Sequence, residues 1–531
     1  MGAPEATNAG PTTGQHLRRN TRSSILLFGI TQGLKFLQVP IVIACIQEGY
    51  TLVRVAFIFF AYFSIYNFGI TTAYVKYTAE CHAKNDYERL SRLLSTGMAL
   101  CAAIGVVTIA VVFLFLDPIT GFFHVEPQYY LSARFVLGFI AIVAMVNVVL
   151  GGYRAALTGI QRIDVVNNCR LIFSLMEFAL VVALLYSGFG IRTVVVVYGI
   201  SVVGPLFVMP FFLRRYLPAV HINPLRPSRE VLGPLFSLGG RMQVLGMLAL
   251  LVNSFDTLVL LRYEALAFTT AYVVSRALVD RLQAVPVQGF GPLIAASADL
   301  HSREEEEKTL RVFASALRLT AVATSYIFAF TAVNSDLVFL GYVGPLEYSS
   351  AGSQTLMFLS LAAIIHTCTG PGSSMLRGAC KPLLETCFHI TTLILFATVF
   401  AIGKAMQRPE LIVLAFPVAI ACASFVFLIL ANRHFKTPLL CPLTSAFLPI
   451  AASFAVAGII RWGWSLTPFS EEPSRWTIVI GVCCMGVVYT ALFAPAAWFL
   501  PGLTLQDKDQ LVRFVPYGRR VLALFGKDKL I

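Results

Sequence analysis

The chain has 531 residues, of which 57% are hydrophobic and 13% charged, with a mean hydropathy of +0.77 and a formal net charge of +13. A soluble domain carries about 25% charged residues, so this composition excludes a globular aqueous protein. The basic excess sits in loops between apolar runs, which explains it by membrane topology and speaks against a nucleic-acid partner.

In chain order, residues 1–22 ("MGAPEATNAGPTTGQHLRRNTR") are polar and end in basic residues, as expected of a disordered cytoplasmic tail. The apolar run behind them is too long for a signal-peptide core and reads as a first span. A helix needs about 20 apolar residues to cross a bilayer. Such windows centre near Leu34, Ile65, Val106, Met145, Val182, Val203, Ala249, Val274, Ala321, Ala362, Leu395, Val418, Ser453 and Val487. The expectation is an all-α polytopic membrane protein of about 14 transmembrane helices. A barrel is excluded because the runs do not alternate apolar with polar. The 11 cysteines are scattered and show no metal-ligand spacing with His, so no metal site and no cofactor is expected.

Lys and Arg mark the loops retained in the cytoplasm. With the N-terminus inside, 27 of the 40 basic residues lie in inward loops and tails, 8 in outward loops, and Lys35, Arg241, Arg276, Arg281 and Arg318 at membrane depth. Both termini are therefore expected in the cytoplasm of a cell with this protein in its inner (plasma) membrane.

Shifting the chain by 219 residues superimposes Arg22 on Arg241, Lys84 on Arg303, Arg89 on Lys308, Arg92 on Arg311, Arg162 on Lys381 and Arg214 on Arg433. Gly159 also falls on Gly378. Positive-inside loops at similar spacing would mimic some of this, but an offset spanning six helices returns the chain to the same side, as in parallel repeats. The expected organisation is an amino lobe over 23–219, a carboxy lobe over 220–438, two additional helices over 439–500, and a basic amphipathic cytoplasmic tail over 501–531.

The stretches "YNFGITTAYVKYTAE" (66–80), "ALTGIQRID" (156–164) and "NSFDTLVLLRY" (253–263) resemble the multidrug/oligosaccharidyl-lipid/polysaccharide exporter superfamily. The likeness is to its Wzx-type branch of lipid-linked oligosaccharide flippases. It covers about residues 20–500 and implies a V-shaped, two-lobed bundle rocking between inward- and outward-facing states. It also implies a central cavity lined by the first, second, seventh and eighth spans. No match is present to the acidic and aromatic cation site of the drug-extruding branch.

Charges at mid-membrane cost about 2.5–3.5 kcal/mol each on insertion scales and need water, a partner or a ligand. "AYVVSRALVDRLQAVPV" (271–287) places Arg276 and Asp280 four residues apart, where they can pair, with Arg281 on another face. Arg241 and Asp256 in the seventh span, Lys35 in the first, and Asn67 in the second join them as candidate cavity residues, with Tyr272 as an aromatic face for sugars. Each has a plainer reading: Arg241 snorkels, Arg276 and Asp280 form a structural strut, and the tyrosines anchor the interface. Lys35 has no acidic neighbour in its own helix. Glu177 and His366 read as helix–helix hydrogen-bond partners, with proton relay as the alternative. "GFGPLI" and "TGPGSS" supply hinge candidates Gly291, Pro292, Gly370 and Pro371.

A basic cavity suits a polyprenyl-pyrophosphate-linked oligosaccharide, such as an O-antigen or other surface-polysaccharide repeat unit, because Arg and Lys meet its phosphates. The expected function is flipping that cargo from the cytoplasmic to the outer leaflet by alternating access, with membrane lipids and polysaccharide polymerase machinery as partners. Proton coupling, sodium coupling and consumption of cargo on the far side all stay open. The alternative is a cation- or proton-coupled small-molecule antiporter, which would need an acidic pocket. An enzyme is not expected, since no long loop carries a carboxylate cluster.

Overall fold

The computed structural model describes residues 13–499 and Asp507, other than 48, 65–69, 124, 226, 229–230, 291–292, 295–296, 298–299, 302–304, 379–382, 436–439 and 471–473. Side chains are undescribed at 13–23, 25, 72, 232, 234–245, 378, 383, 409, 440–447, 496 and 498–499. Among the described residues the regular structure is helical, with no strand.

The chain divides into two compact units, Met1–Leu266 and Ala267–Ile531. The first holds α1 (Thr13–Ile46), α2 (Gly49–Phe63), α3 (Ile70–Ala83), α4 (Tyr87–Leu114), α5 (Leu116–Phe122), α6 (Pro127–Gly159), α7 (Ile163–Tyr186), α8 (Ile191–Tyr216) and α9 (Leu232–Tyr263). The second holds α10 (Leu266–Val287), α11 (Glu306–Val333), α12 (Ser335–Val343), α13 (Ser349–Thr367), α14 (Thr369–Gly378), α15 (Leu383–Ala405), α16 (Pro409–His434), α17 (Leu440–Ser465) and α18 (Arg475–Phe499). α1 begins at Thr13, so the end of the expected tail at residue 22 falls inside a helix.

Local sequence sets the helix ends. Asp86 caps α4 by accepting from the Arg89 N–H at 3.0 Å, and proline opens α6 and α16 where its missing N–H costs nothing. Asn85, Gln161 and Gln407 take positive φ just beyond α3, α6 and α15, the left-handed turn that commonly closes a helix. Gly159, ending α6, is required by a close approach: a Cβ there would sit 2.8 Å from the Val75 carbonyl oxygen of α3.

The 219-residue offset reappears in the helix boundaries. α4 and α11 match at both ends under that shift, as do the last residues of α6 and α14 and of α7 and α15. The ion pairs Arg92–Glu88 (3.9 Å) and Arg311–Glu307 (3.8 Å) are 219 residues apart as well. Packing repeats too: α6 packs on α4 and α8, and α13 on α11 and α16. α9, the counterpart of α1 under the shift, packs on α3 within the first unit.

Ten described helices are long and apolar enough to cross a membrane, or eleven with the bent pair α13 and α14 counted as one span. Thirteen of the fourteen expected span centres lie inside helices, and the other, Ile65, falls among the undescribed residues 65–69. The count covers the described residues alone: residues 65–69 of the expected second span lie outside them, and α10 carries three charges. α17 and α18 pack on α11 and α12, where Arg461 reaches Asp336 at 2.6 Å and Tyr326 stacks on Tyr489 and Phe493. Of the C-terminal tail only Asp507 is described; it is fully buried and accepts from Arg318 Nε at 2.9 Å and from Ser315.

Candidate functional site

In the first unit, α1 lies along α7, and α7 along α8. That packing brings Lys35 against Glu177, whose second oxygen accepts from Ser201 Oγ at 2.7 Å. The Lys35 ammonium lies 5.6 Å from the Tyr198 ring centre. Glu177 is 4% exposed and Lys35 24%, so the carboxylate is enclosed while the cation keeps one side open. Lys35 is therefore a paired cation rather than a lone one, and its partner comes from a helix 142 residues away.

Asp256 of α9 has no exposed surface and accepts from the Thr257 N–H at 2.8 Å. Two residues earlier in α9, Ser254 shares a hydrogen bond of 2.7 Å with the Tyr62 hydroxyl. The Arg241 side chain and Asn67 lie outside the described residues.

In the second unit, Arg276 Nε stands 3.5 Å from Asp280, and its guanidinium lies 4.2 Å above the Phe416 ring. Arg276 is 8% exposed and Asp280 34%. The i, i+4 pairing expected from the sequence is thus present, with a cation–π contact beneath it. Arg281 is half-buried on an adjoining face. Tyr272 is buried and offers no free ring face to a sugar in this conformation.

Next to this pair a cavity of about 300 Å³ opens, lined by Gln283, His366, Thr367, Thr369, Ser373 and Arg377 among others. Gln283 donates to Thr367 Oγ1 at 3.1 Å. His366 bonds Ser424 of α16 at 3.2 Å and stacks on Phe388. Arg377 grips the enclosed Glu385 through Nε at 2.9–3.0 Å and Nη2 at 2.9 Å, and Ser373 donates to the same carboxylate. The cavity lies beside the 40° bend between α13 and α14. Gly370 sits at the bend, with Phe290 so close that a Cβ would overlap its ring, and Pro371 follows in the first turn of α14, where its lack of an N–H is tolerated. Gly291 and Pro292 lie outside the described residues.

Sequence reasoning missed Glu385 and Arg377. Their signal, a base and an acid on either side of "GACKP" in the sequence, looked like ordinary loop charge.

Residues 51–185 match the MatE family. No curated protein matches the sequence. Among solved structures, the lipid II flippase MurJ in an inward closed conformation aligns at 13% identity over 89% of this chain and 99% of that one, with a TM-score of 0.65. An inward-facing multidrug resistance MATE family transporter aligns at 13% identity over 79% of this chain and 98% of that one, with a TM-score of 0.62. A transporter from Pyrococcus furiosus, described by the reversed polarity of its binding pocket, aligns at 14% identity over 79% and 94%, with a TM-score of 0.56. Beyond the MatE match of residues 51–185, the chain has the fold shared by the lipid II flippase MurJ and the MATE transporters.

Proposed function

We propose that the protein is a flippase for polyprenyl-pyrophosphate-linked oligosaccharide, moving it from the cytoplasmic to the outer leaflet of the plasma membrane with both termini in the cytoplasm. The observation that carries this reading is the charge balance within the spans. The buried carboxylates Glu177, Glu385 and Asp507 are each held by Lys35, Arg377 and Arg318, and Asp280 by Arg276. None of the four is left to meet a cationic drug, and the other buried acid among the described residues, Asp256, is enclosed and accepts from the Thr257 N–H.

Two further features support it. The cavity in the second unit presents hydroxyls, an amide and a guanidinium, which suit a hydroxyl-rich anionic head, and its volume suits one part of such a head rather than the whole. The lipid II flippase fold covers 89% of this chain against 79% for the drug transporter, and the two helices beyond the repeat, α17 and α18, are long enough to account for the difference. Arg276 and Arg281 would contact the phosphates, and Gly370 with Pro371 would let α14 swing as the cavity changes sides. Polysaccharide-polymerising machinery would take the cargo on the far side. No bond is made or broken.

The MatE match over 51–185 favours the second reading, a cation-coupled antiporter. Cells lacking the protein separate the two. Lipid-linked oligosaccharide is expected to accumulate on the cytoplasmic leaflet, with unchanged sensitivity to cationic dyes. Normal oligosaccharide turnover with raised dye sensitivity would favour the antiporter.

A further inference from the structure

The cavity beside the bend in the second unit joins two kinds of lining. Gln283 of α10, His366 of α13 and Ser374 and Arg377 of α14 supply polar groups, and Phe290 and Ile294 supply apolar surface. Arg377 is the only lining residue with a permanent charge, and the fold answers that charge itself. Its Nε and Nη2 engage Glu385, which is 5% exposed, and Ser373 donates to the same carboxylate. Three other groups are left unused. Gln283 commits its Nε2 to Thr367, which leaves the amide oxygen. His366 commits Nδ1 to Ser424, which leaves Nε2. The Ser374 hydroxyl, in a residue 8% exposed, meets no partner among the described residues.

An acceptor, an imidazole nitrogen and a hydroxyl that both donates and accepts suit a ligand whose own groups do both, as sugar hydroxyls do. The apolar surface suits the C–H face of the same ring, and few polar groups on an apolar lining are what orients a small ligand. A volume of about 300 Å³ is at the small end of ligand pockets and admits one ring rather than a chain. With Arg377 matched by Glu385, a sugar acid would bring in a carboxylate that has no free cation to meet, which is costly in an enclosed site. We infer that this cavity is a subsite for one uncharged sugar ring of the cargo, with Gln283, His366 and Ser374 reading its hydroxyls and the Arg377–Glu385 pair turning away sugar acids. The inference rests on the flippase reading, in which the charge of the cargo lies at its phosphates.

The test measures binding to full-length protein in nanodiscs. The probes are farnesyl pyrophosphate, the same lipid carrying glucose, galactose or N-acetylglucosamine, and the same lipid carrying glucuronic acid. At least one neutral-sugar probe is expected to bind about tenfold tighter than farnesyl pyrophosphate, and tighter than the glucuronic acid probe. Gln283→Met and Ser374→Ala should each shrink that advantage by about threefold to tenfold, the worth of one hydrogen bond. Glu385→Gln leaves Arg377 without its carboxylate and should turn the preference toward the glucuronic acid probe, a gain that misfolding does not mimic. Farnesyl pyrophosphate bound as tightly as every neutral-sugar probe would overturn the subsite and leave the flippase reading standing. So would a wild type that favours glucuronic acid, or Gln283→Met and Ser374→Ala variants that keep the full advantage. Folded protein that binds none of the probes would overturn both.

Discussion

Glu177→Ala is expected to destabilise the protein by about 3 kcal/mol, the lower end of what removing one partner of a buried ion pair costs. The reason is what remains. Lys35 would keep its charge inside the bundle without its carboxylate, and Ser201 would lose its acceptor. The lower end applies because Lys35 is partly open to water. Replacing both partners, as Lys35→Met with Glu177→Leu, should recover most of the stability, since a matched apolar pair has no charge to bury. Melting temperature in detergent, followed by size-exclusion fluorescence, reads both effects. If Glu177→Ala were silent while Lys35→Ala abolished transport at normal abundance, Lys35 would be a lone substrate cation and the pair incidental.

The second large effect concerns α10. Arg276→Ala should abolish transport, because it removes a charge-assisted contact to phosphate of about 1.5–3 kcal/mol together with the stacking on Phe416. Asp280→Asn should be milder. Asp280 is the more exposed partner, and an amide can still accept from Arg276. Arg281→Ala should weaken transport without lowering abundance. The comparison to make is export against membrane abundance for the three single variants and for Arg276→Ala with Asp280→Ala. Export restored by the double change would reduce the pair to an internal strut, since only a structural role is repaired by removing both charges.

Much of the fold was legible because the bilayer forces a simple code. Apolar length marks a span, so all but one of the expected span centres lie inside described helices. The repeat was legible in its charged turns, and the offset that aligns Arg92 with Arg311 also aligns α4 with α11 end to end. The places where the reading fell short share one cause. Pairings across helices leave no trace in local sequence: Lys35 looked solitary because Glu177 is 142 residues away. The same holds for Asp256, Tyr272 and Glu385, whose burial depends on neighbouring helices. By contrast, Arg276 with Asp280 and the break before Gly370 were visible, because each rests on residues within one turn of another.

The most direct test of the central claim is translocation by purified protein in sealed liposomes that carry a polyprenyl-pyrophosphate-linked oligosaccharide with a labelled sugar head. An impermeant glycosidase added outside cleaves the heads in the outer leaflet. With wild-type protein present, cleavage is expected to pass the half reached in protein-free liposomes and approach completion, and with Arg276→Ala to stop near half. Cleavage that stays at half with folded wild-type protein, alongside cation efflux driven by a proton or sodium gradient, would contradict the flippase account.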